Sequence, residues 1–506
     1  MTHPLVLKEL LKLMPDHQAF GDMSQSIQCA TLSSKESTQG CAFIAVPGAM
    51  VDGRDYIKQA VENGVTAVFC EENGLTPEQQ KILNQLTIPW ILVKKLSLKI
   101  GIIANAICGN PAAKMKLIGI TGTNGKTSIC QLLAQIIYQL AGECGQMGTI
   151  GNGLVNRLVE SINTTSEAIT IHKNLAKMLE AGARYVAMEV SSHALAQGRV
   201  EGLHYEVAVF TNLTRDHLDY HQNMQDYAEA KRKLFLDQTL PFVVINADDA
   251  FGLKLLADPE ITSKKIAYST KNNPINIPKI FGVVRASEVQ YKPKGMSFNL
   301  ETPWGDQQVE LGLLGEFNLS NCLAVIGVLG CLGFDRSEFI SSLEQQKAIP
   351  GRMECFGGGG KPSVVVDYAH TPDALEKALL ALRAHANGEI WCIFGCGGDR
   401  DPGKRPMMAL AAEKYADHLI ITDDNPRNED GNLIVADILS GLKRADFAVV
   451  ERDRNKAIRL GILNAKPNDI VLIAGKGHET YQLIQNVKHA HSDREFVQQQ
   501  LQGVIA

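Results

Sequence analysis

The sequence predicts an α/β protein of several domains with mostly parallel sheets. The chain has 506 residues, enough for about three domains of ~150 residues each. From about residue 347 onward, apolar strand-like runs alternate with helical segments, which is typical of a parallel sheet covered on both faces. Near residue 120, a glycine-rich turn separates an apolar strand from an amphipathic helix. The sequence therefore predicts a small N-terminal α/β domain, a central P-loop-type domain and a C-terminal Rossmann-like domain.

We place these domains at residues 1–97, 98–346 and 347–506. In the first domain, the segment DGRDYIKQAVENGVTAVFCEE predicts a helix followed by a strand. The next segment, IGIIANAICGNPAA, is helical and ends in Asn-Pro, and we expect it to link the first domain to the second.

The central domain opens with the predicted strand MKLIGI and the predicted helix SICQLLAQIIYQL. Apolar residues recur in this helix at i, i+3, i+4, i+7, i+8 and i+11, which indicates one buried face. They are Ile129, Leu132, Leu133, Ile136, Ile137 and Leu140. Further strands are predicted at 185–190, 207–213 and 242–249, an antiparallel patch at 280–315, and a buried helix at 319–333.

The C-terminal domain shows the most regular alternation. Its predicted strands are SVVVDYA, EIWCIFGCG, HLIITDD, DFAVVERD and DIVLIAGKG, with helices such as TPDALEKALLALRAHA and NKAIRLGILNA between them. Ligands of such sheets bind at the carboxyl ends of the strands. Most polar motifs of this chain fall just after an apolar strand, so we expect a site at that edge.

The amino-acid composition argues against several classes of function. The chain is 45% apolar and 21% charged, with a net charge of −5 and no long basic run, which argues against a nucleic-acid partner. No apolar stretch is long enough to predict a membrane span, and the start lacks the apolar core of a signal peptide. The eleven cysteines lack paired or zinc-binding spacing, so we expect free thiols in a reducing cytoplasm. We also expect a monomer.

The stretch GITGTNGKTS at residues 119–128 predicts a phosphate-binding loop. Glycines let backbone N–H groups converge on phosphate oxygens, and the following helix adds a favourable dipole. Lys126 would neutralise phosphate charge, and the Thr127 hydroxyl would reach Mg²⁺. The pattern departs from GxxxxGK[ST], because Ile120 stands where the first glycine belongs. The alternative is a glycine-rich strand-to-helix turn without a ligand. We expect Lys126 to lie on an exposed loop.

The GTNGKT form resembles the Mur ligase family, which includes folylpolyglutamate synthase. The resemblance covers essentially the whole chain. It implies an ATP-dependent enzyme that activates a carboxylate as an acyl phosphate and then joins it to an amine. The nucleotide-binding residues it implies in the loop are Gly122, Thr123, Asn124, Gly125, Lys126, Thr127 and Ser128.

The resemblance also implies two Mg²⁺ sites and a modified lysine. Thr127 and Glu189, just past the strand YVAMEV, would hold the first ion, and His217 would serve the second. In this family the lysine after "EA" is carbamylated by CO₂, which matches Lys231 and not Lys233. Such a carbamate resembles a carboxylate and can bind Mg²⁺, but it requires a lysine kept partly deprotonated by burial. Without the resemblance, each of these side chains reads as an ordinary loop or surface residue.

Further matches concern the base and ribose of ATP. The stretches GEFNLSN, PGRMEC and VDYAHTPDAL supply the implied residues Asn318, Arg352, Asp367 and His370. The last stretch also predicts a helix N-terminus, with Thr371 as the cap and Pro372 in the first turn. Both interpretations of that stretch are compatible.

Within the family, the chain is most similar to ligases that add the third residue of the peptidoglycan stem peptide. The first domain would bind UDP-MurNAc-L-Ala-D-Glu, with the central domain holding its muramoyl-dipeptide. The implied residues are Leu32, Ser34, Ala49, Met50, Val51, Asn163, Thr164, Thr165, Ser191, Gln197 and Arg199. Arg199 would pair with a carboxylate or diphosphate.

The stretch TDDNPRNED, at residues 422–430, holds several acids around one arginine in what reads as a turn after a strand. Its DNPR core matches the signature of family members that add meso-diaminopimelate. The implied amine-binding residues, drawn from three strand ends, are Arg400, Asp424, Asn425, Pro426, Arg427, Gly475 and Glu479. Arg427 would bind the distal carboxylate of diaminopimelate, Glu479 its ammonium, and Asp424 would cap or orient the loop.

Three alternatives remain at this point. The L-lysine-adding ligase of the same family is disfavoured by DNPR. Folylpolyglutamate synthase is disfavoured by the N-terminal nucleotide-binding domain. A non-catalytic ATP-binding scaffold is disfavoured by the intact catalytic set, which is Lys126, Thr127, Glu189, His217 and Lys231.

Overall fold

A computed structural model describes residues 4–48, 51–161, 163–217, 220–292, 294–444 and 446–503. This described part of the chain divides into two compact units. Unit 1 comprises Met1–Val284, Thr302–Trp304 and Leu323–Phe339, and unit 2 comprises Arg285–Glu301, Gly305–Cys322 and Ile340–Ala506. The predicted α/β class is confirmed, because helices alternate with mostly parallel strands in both units.

The N-terminal part of unit 1 is a sheet in the order β2-β7-β6-β5-β4, with β2 antiparallel to its neighbour and the other pairs parallel. The predicted helix and strand at DGRDYIKQAVENGVTAVFCEE are α2 and β6. The strands are β1 (Leu5–Val6), β2 (His17–Phe20), β3 (Ser26–Ile27), β4 (Cys29–Thr31), β5 (Cys41–Ala45), β6 (Ala67–Glu71) and β7 (Trp90–Val93). The helices are α1 (Leu7–Leu11), α2 (Ile57–Glu62), α3 (Pro77–Asn84) and α4 (Ile100–Ile107).

The expectation of free thiols throughout is wrong at one pair. Cys29 and Cys41 form a disulfide. They are direct partners on the adjacent parallel strands β4 and β5, with Cα atoms 4.4 Å apart. Sequence spacing could not reveal this, because strand pairing brings the two residues together.

The central part of unit 1 is a sheet in the order β11-β10-β9-β12-β8-β13-β14-β15, parallel from β9 through β15. Its strands are β8 (Lys116–Thr121), β9 (Cys144–Gly148), β10 (Gly151–Leu154), β11 (Arg157–Val159), β12 (Tyr185–Glu189), β13 (Tyr205–Phe210), β14 (Phe242–Asn246) and β15 (Lys264–Ser269). Its helices are α5 (Lys126–Ala141), α6 (Ala168–Glu180), α7 (Ser192–Ala196), α8 (Met224–Arg232) and α9 (Ala250–Ala257).

Helix α5 forms as its periodicity predicts. Ile129, Leu132, Leu133, Ile136 and Ile137 are buried on one face. The helix stops at Gly142, whose positive φ of 83° is a backbone conformation that residues with a side chain rarely adopt. Because β8 is followed directly by a loop and α5, the loop lies at the carboxyl edge of the sheet.

The predicted antiparallel patch is confirmed, since β16 pairs with β17 and β17 with β18 in antiparallel register. These strands are β16 (Ile280–Lys292), β17 (Gly295–Glu301) and β18 (Gln307–Leu311), and the helices after them are α10 (Glu316–Cys331) and α11 (Arg336–Glu344).

The C-terminal part of unit 2 is a sheet in the order β19-β20-β24-β21-β22-β23, parallel except for β19. Its strands are β19 (Glu354–Gly357), β20 (Ser363–Asp367), β21 (Ile390–Phe394), β22 (His418–Ile421), β23 (Ala448–Val450) and β24 (Ile470–Ala474), and β25 (Tyr481–Ile484) and β26 (Val487–Ala490) form a hairpin. The helices are α12 (Pro372–His385), α13 (Lys404–Tyr415), α14 (Gly431–Leu439), α15 (Arg454–Asn464) and α16 (Asp493–Gln502). The loops after β20, β21, β22 and β24 share one edge.

Candidate functional site

The predicted phosphate loop joins β8 to α5, and its shape requires glycine. Gly122 has a φ of 148°, and a Cβ atom there would stand 1.8 Å from Thr211 Oγ1. Gly125, with a φ of 87°, turns the chain into α5. The loop is braced from β13, because Thr211 Oγ1 donates to Asn124 O at 2.6 Å and Asn212 Oδ1 accepts from Asn124 N at 3.0 Å. Sequence reasoning missed both bracing residues.

The expectation that Lys126 lies on an exposed loop is wrong. Lys126 is the half-buried first residue of α5, and its ammonium folds back over the loop. Its Nζ donates to the carbonyl oxygens of Gly122 at 2.9 Å and Thr123 at 2.8 Å. The partial negative charge of these two carbonyl oxygens holds the ammonium over the loop. Thr127 and Ser128 follow in the first helical turn and are half-buried.

Glu189 ends β12 next to the loop and is 1% exposed. It accepts a hydrogen bond from Thr127 Oγ1 at 2.9 Å and another from Thr149 N at 2.8 Å. Gly148 allows this approach, since a Cβ atom there would meet Glu189 Oε1 at 2.2 Å. Burial raises the pKa of Glu189, while the charge of Lys126 and these hydrogen bonds oppose that shift.

Lys231 meets the condition that the carbamylation hypothesis requires. Its side chain, on α8, is 1% exposed, whereas Lys233 is exposed. Lys231 Nζ donates to Gly122 O at 2.9 Å and lies 4.4 Å from the centre of the Tyr227 ring. Burial, with the nearby charge of Lys126, lowers the pKa of Lys231 well below its usual range. The neutral amine that reacts with CO₂ is therefore favoured, although carbamylation itself stays a prediction.

His217 lies in the segment after β13 with a φ of 54° and an exposed side chain. Its ring centre is 5.0 Å from that of His193 and 5.9 Å from that of Tyr227, which also bonds Thr123 at 3.1 Å. Within the described ranges, no group of three or more His, Cys, Asp or Glu residues could hold a metal ion by itself. Mg²⁺, however, is commonly bound by one or two carboxylates together with substrate phosphates. The buried oxygens of Thr127 and Glu189 fit that donor set.

The residues expected to hold the muramoyl-dipeptide connect to the backbone at the end of β12. Thr165 Oγ1 donates to Glu189 O at 2.9 Å and accepts from Ser191 N at 3.0 Å. Arg199 donates to Thr165 O at 2.9 Å and to Gln197 Oε1 at 2.8 Å. Ser191 also caps α7. Asn163 is exposed, and Thr164 accepts from Thr149 Oγ1 at 3.2 Å.

The residues expected to hold uridine lie in the N-terminal sheet region. Ser34 is buried and donates to Gln59 Oε1 at 2.7 Å, while Leu32 is half-buried. Val51 is 58% exposed, as a ligand contact would require. Ala49 and Met50 lie outside the described residues.

The residues expected to hold the adenosine lie in unit 2. Asp367, at the end of β20, is buried and accepts from Met353 N at 2.8 Å and Ala369 N at 2.9 Å. Burial raises its pKa, opposed by the charge of Arg352. The Arg352 guanidinium lies 4.6 Å from the centre of the Tyr368 ring. The centre of the His370 ring lies 4.8 Å from the same Tyr368 ring centre. Asn318 is buried and bonds Leu314 O at 2.8 Å. The predicted cap by Thr371 is confirmed.

The loops after four strands of unit 2 enclose a cavity of about 290 Å³. It brings together most of the residues predicted to bind the amine. Those that line it are Arg400, Asp424, Asn425, Arg427, Gly475 and Glu479, along with His370, Thr371 and Lys404. Pro426 is buried but does not line the cavity.

Two acids of the TDDNPRNED stretch form ion pairs with arginines from other elements. Asp423 pairs with Arg452 at 2.7 Å, and Glu429 pairs with the buried Arg405 at 2.7 Å. Asp430 caps α14, while the role of Asp424 in capping or orienting the loop stays a prediction. Asp424 is buried against Lys476, at 3.7 Å.

Arg427 differs from these paired groups. Its Nη1 donates to Gly398 O at 2.7 Å, but no carboxylate among the described residues lies within ion-pair distance of it. Its backbone has a φ of 52° and is held by the hairpin, because Arg427 N donates to Leu483 O and Arg427 O accepts from Gln485 N. The guanidinium is thus fixed at the cavity wall and retains donors for an anion.

Sequence reasoning missed two buried cations behind the cavity. Arg454 pairs with Asp493 at 2.7 Å, and both side chains are fully buried. Arg454 also donates to Ala474 O and Asp423 O, at the ends of β24 and β22. The second cation is Lys476, which donates to Glu479 Oε2 at 2.7 Å and to Asn425 Oδ1 at 3.1 Å. The KGHE run offered a local signal for Lys476, but the Arg454 contact depends on tertiary structure.

Together, the fold and these sites define an α/β protein of the phosphate-loop class with a separate polar cavity at the edge of its C-terminal sheet. Known families match in three stretches. Residues 26–107 match the Mur ligase family catalytic domain, residues 120–329 the Mur ligase middle domain, and residues 351–477 the Mur ligase glutamate ligase domain. The chain belongs to the Mur ligase family, as its motifs predicted. It is an ATP-dependent, ADP-forming ligase by that membership.

Curated relatives and a solved structure agree with this assignment. The chain is 43% identical over 506 residues to a UDP-N-acetylmuramoyl-L-alanyl-D-glutamate--2,6-diaminopimelate ligase of Vibrio vulnificus (strain YJ016), covering 99% of each chain. It is 45% identical over 458 residues to the protein of the same name from Coxiella burnetii (strain RSA 493 / Nine Mile phase I), covering 90% of this chain and 92% of that one. A solved structure of a ligase with that name is 33% identical, with a TM-score of 0.75 and 99% coverage of both chains.

No helix within the described ranges is long and apolar enough to cross a membrane.

Proposed function

We propose that this ligase joins meso-diaminopimelate to the D-glutamate of UDP-MurNAc-L-Ala-D-Glu, using ATP, in the synthesis of the peptidoglycan precursor. The relatives at 43% and 45% identity are named for that reaction. The observation that carries the assignment is Arg427, a fixed guanidinium on a cavity wall with no carboxylate partner among the described residues. Diaminopimelate has a distal carboxylate to offer it, and L-lysine does not.

The first step would be transfer of the γ-phosphoryl group of ATP to the γ-carboxylate of D-glutamate. ADP leaves, and a mixed anhydride, the acyl phosphate, is formed. The Lys126 ammonium at the loop supports this step, because it can exchange its carbonyl partners for phosphate oxygens and stabilise their developing charge.

Magnesium would be held by Thr127 and Glu189 at one site, and by His217 and carbamylated Lys231 at a second. When bound, the ions would neutralise phosphate charge. The buried pair formed by Thr127 and Glu189 supports the first site. Burial of Lys231 supports the second, since a carbamate would replace an ammonium that is costly to bury by an anion that binds Mg²⁺.

Separate groups of residues would position the parts of the substrates. Thr165, Ser191 and Arg199 would orient the muramoyl-dipeptide beside Glu189, and the hydrogen bonds that join them to each other and to the Glu189 backbone carbonyl support this role. The uridine is assigned to the N-terminal residues Leu32, Ser34 and Val51. Arg352, Asp367 and His370 would hold the adenosine, together with Asn318.

The second step would join the amine to the activated carboxylate. The amine nitrogen of diaminopimelate attacks the acyl carbon, a tetrahedral intermediate forms, and inorganic phosphate leaves with the bonding electrons. Arg427 would grip the distal carboxylate through two parallel hydrogen bonds, which a lysine in its place could not copy. Glu479 would receive the distal ammonium, and Arg400 lies on the same cavity wall.

We also propose that the protein works as a monomer in the cytoplasm. Most cysteines fit a reducing compartment, and the free ones in the described ranges include Cys70, Cys130 and Cys392. The Cys29–Cys41 disulfide is unusual there. Mass measurement of the intact protein from cells, with free thiols blocked at lysis, tests whether this bond is present.

The test of the reaction is to incubate the protein with UDP-MurNAc-L-Ala-D-Glu, ATP and Mg²⁺, and with diaminopimelate or L-lysine in separate tubes, and to weigh the products. We expect a tripeptide product with diaminopimelate, and phosphate release that requires both the UDP-dipeptide and the amine. A product with lysine alone would show the L-lysine ligase instead. Nucleotide binding without any amide product would indicate the scaffold.

A further inference from the structure

The Lys476 side chain, which the proposed mechanism does not use, stands at the centre of the cavity's hydrogen-bond network. It follows β24, is 0% exposed, and touches groups from two of the loops that form the cavity. Its Nζ donates to Glu479 Oε2 at 2.7 Å and to Asn425 Oδ1 at 3.1 Å, and Asp424 Oδ1 lies 3.7 Å away. A buried ammonium is costly, so its retention among these groups requires an explanation.

Asn425 shows what the ammonium fixes. Its Oδ1 accepts from Lys476 and also from Leu483 N of the hairpin at 2.8 Å, and its Nδ2 donates to Glu479 Oε2 at 3.0 Å. Both ends of the amide are therefore occupied by protein groups. The same hairpin holds the backbone of Arg427 through Leu483 O. Lys476 thus connects the loop of Arg427 to the loop of Glu479.

Charge leads to the same conclusion. Asp424 and Glu479 bring two acids to the cavity, and Lys476 lies between them. Burial raises the pKa of Asp424, opposed by the positive charges of Arg454 and Lys476. Without Lys476, the cavity would gain one net negative charge close to the place proposed for a substrate carboxylate.

We infer that Lys476 is a positioning residue that sets the amine specificity of this ligase. It holds Glu479 and Asn425 in one orientation, and it offsets the second acid so that the cavity accepts a zwitterionic distal group. The inference rests on the proposed function. A neutral residue at 476 should weaken binding of diaminopimelate, whose free end carries both charges, more than binding of L-lysine, whose free end carries only an ammonium.

The test measures kcat and KM for diaminopimelate, L-lysine, ATP and the UDP-dipeptide in the parent and in Lys476→Met. The matched control is Lys265→Met, which removes another buried lysine, held by Leu256 O and Asp258 O, away from any proposed site. Removing a group that orients a ligand-binding side chain commonly costs about 10- to 100-fold in affinity, as in metal sites. We expect a rise of that size in the KM for diaminopimelate, with the KM values for ATP and UDP-dipeptide unchanged.

Two further variants test the inference if Lys476→Met folds poorly. Lys476→Gln keeps a donor but removes the charge, and Lys476→Arg keeps the charge. We expect Lys476→Arg to retain more of the preference for diaminopimelate than Lys476→Gln, at equal content of folded protein. An equal loss in both, or a fall in kcat with every KM unchanged, would overturn the positioning role.

Failure of the proposed function gives a different pattern. If the parent ligates lysine and not diaminopimelate, the proposed substrate is wrong, and the specificity inference falls with it. If the parent prefers diaminopimelate and Lys476→Met keeps that preference in full, the proposed function stands and only the inference about Lys476 is overturned.

Discussion

The phosphate-loop region of unit 1 and the cavity of unit 2 handle charge in different ways. At the loop, Lys126 and Lys231 both donate to the single carbonyl of Gly122, and Glu189 is the nearby buried acid. At the cavity, acids are paired with a cation, because Lys476 pairs with Glu479 in its own loop and with Asp424 of a neighbouring loop. The loop therefore places the Lys126 ammonium against carbonyl oxygens that phosphate oxygens could replace, whereas the cavity combines paired acids with Arg427, which has no carboxylate partner among the described residues. An ammonium held at a loop suits a phosphate group, and a cavity that presents both acids and cations suits a zwitterion.

The largest expected effect comes from removing charge at the loop. Lys126→Ala should abolish most turnover, by roughly 100- to 1,000-fold or more in kcat, because a preorganised charge on the transferring group is lost. Folding should change little, since the ammonium bonds only loop carbonyls among the partners described above. ADP formation and thermal unfolding measure the two effects, with the exposed Lys116→Ala as the control. Normal ADP formation in Lys126→Ala would exclude the phosphate-loop assignment.

The second test asks whether Lys231, beside the loop, is carbamylated. Lys231→Ala should nearly abolish activity, and bicarbonate or a short carboxylic acid should restore part of it by replacing the missing anion. Lys233→Ala, two residues away and exposed, is the matched control and should retain activity. Carbon-13 NMR with labelled bicarbonate would detect the carbamate directly. Full activity in Lys231→Ala would rule the modification out as a requirement.

The third test removes the Arg427 guanidinium from the cavity wall. Truncating one side of a buried charge pair costs about 2–5 kcal/mol, which at ~1.4 kcal/mol per tenfold is roughly 30-fold to several thousand-fold. Arg427→Ala should therefore lose most of the preference for diaminopimelate over L-lysine, through diaminopimelate alone. The measurement compares kcat/KM for both amines, with Arg383→Ala, an exposed arginine, as the control. An unchanged preference would mean that the DNPR motif forms a turn and does not select the amine.

The fourth test concerns the buried pair behind the cavity. Although burial alone would raise it, the charge and hydrogen bonds of Arg454 hold the pKa of Asp493 well below its usual range. A depressed carboxyl pKa stabilises the fold above the unfolded value of about 3.9, and that contribution is lost as pH falls further. Asp493→Asn should cost about 3–5 kcal/mol at pH 7, because Arg454 is left buried without its partner. Urea unfolding between pH 7 and pH 3 should show a smaller acid-induced loss in this variant than in the parent.

The smallest expected effect is on stability, and it tests whether Asp430 of the TDDNPRNED stretch has a structural role and does not contact the ligand. Asp430 caps α14, so Asp430→Ala should cost about 1 kcal/mol of unfolding free energy. The preference for diaminopimelate should not change, because Asp430 does not line the cavity. Denaturant unfolding and the two-amine comparison measure these outcomes. A changed preference would mean that the loop's acids act together on the ligand.

The sequence by itself determined the fold class, the phosphate loop and the family. Those features reside in local patterns: the 3.6-residue period of α5, the glycines around Lys126 and the strand ends of the C-terminal domain. Lys231 was singled out only through the family resemblance, because the pattern of α8 by itself predicts a solvent-exposed lysine.

Only the tertiary structure decided how the charges are partnered. The Cys29–Cys41 bond, the Lys231 contact with Gly122, and the Lys476 and Arg454 contacts join residues that are apart in the chain. A sequence shows which groups can ionise, but the distance and burial that set their interactions arise when strands pair and bring their ends to one edge. That is why Arg427 could be singled out by its motif, while its lack of a carboxylate partner was visible only in three dimensions.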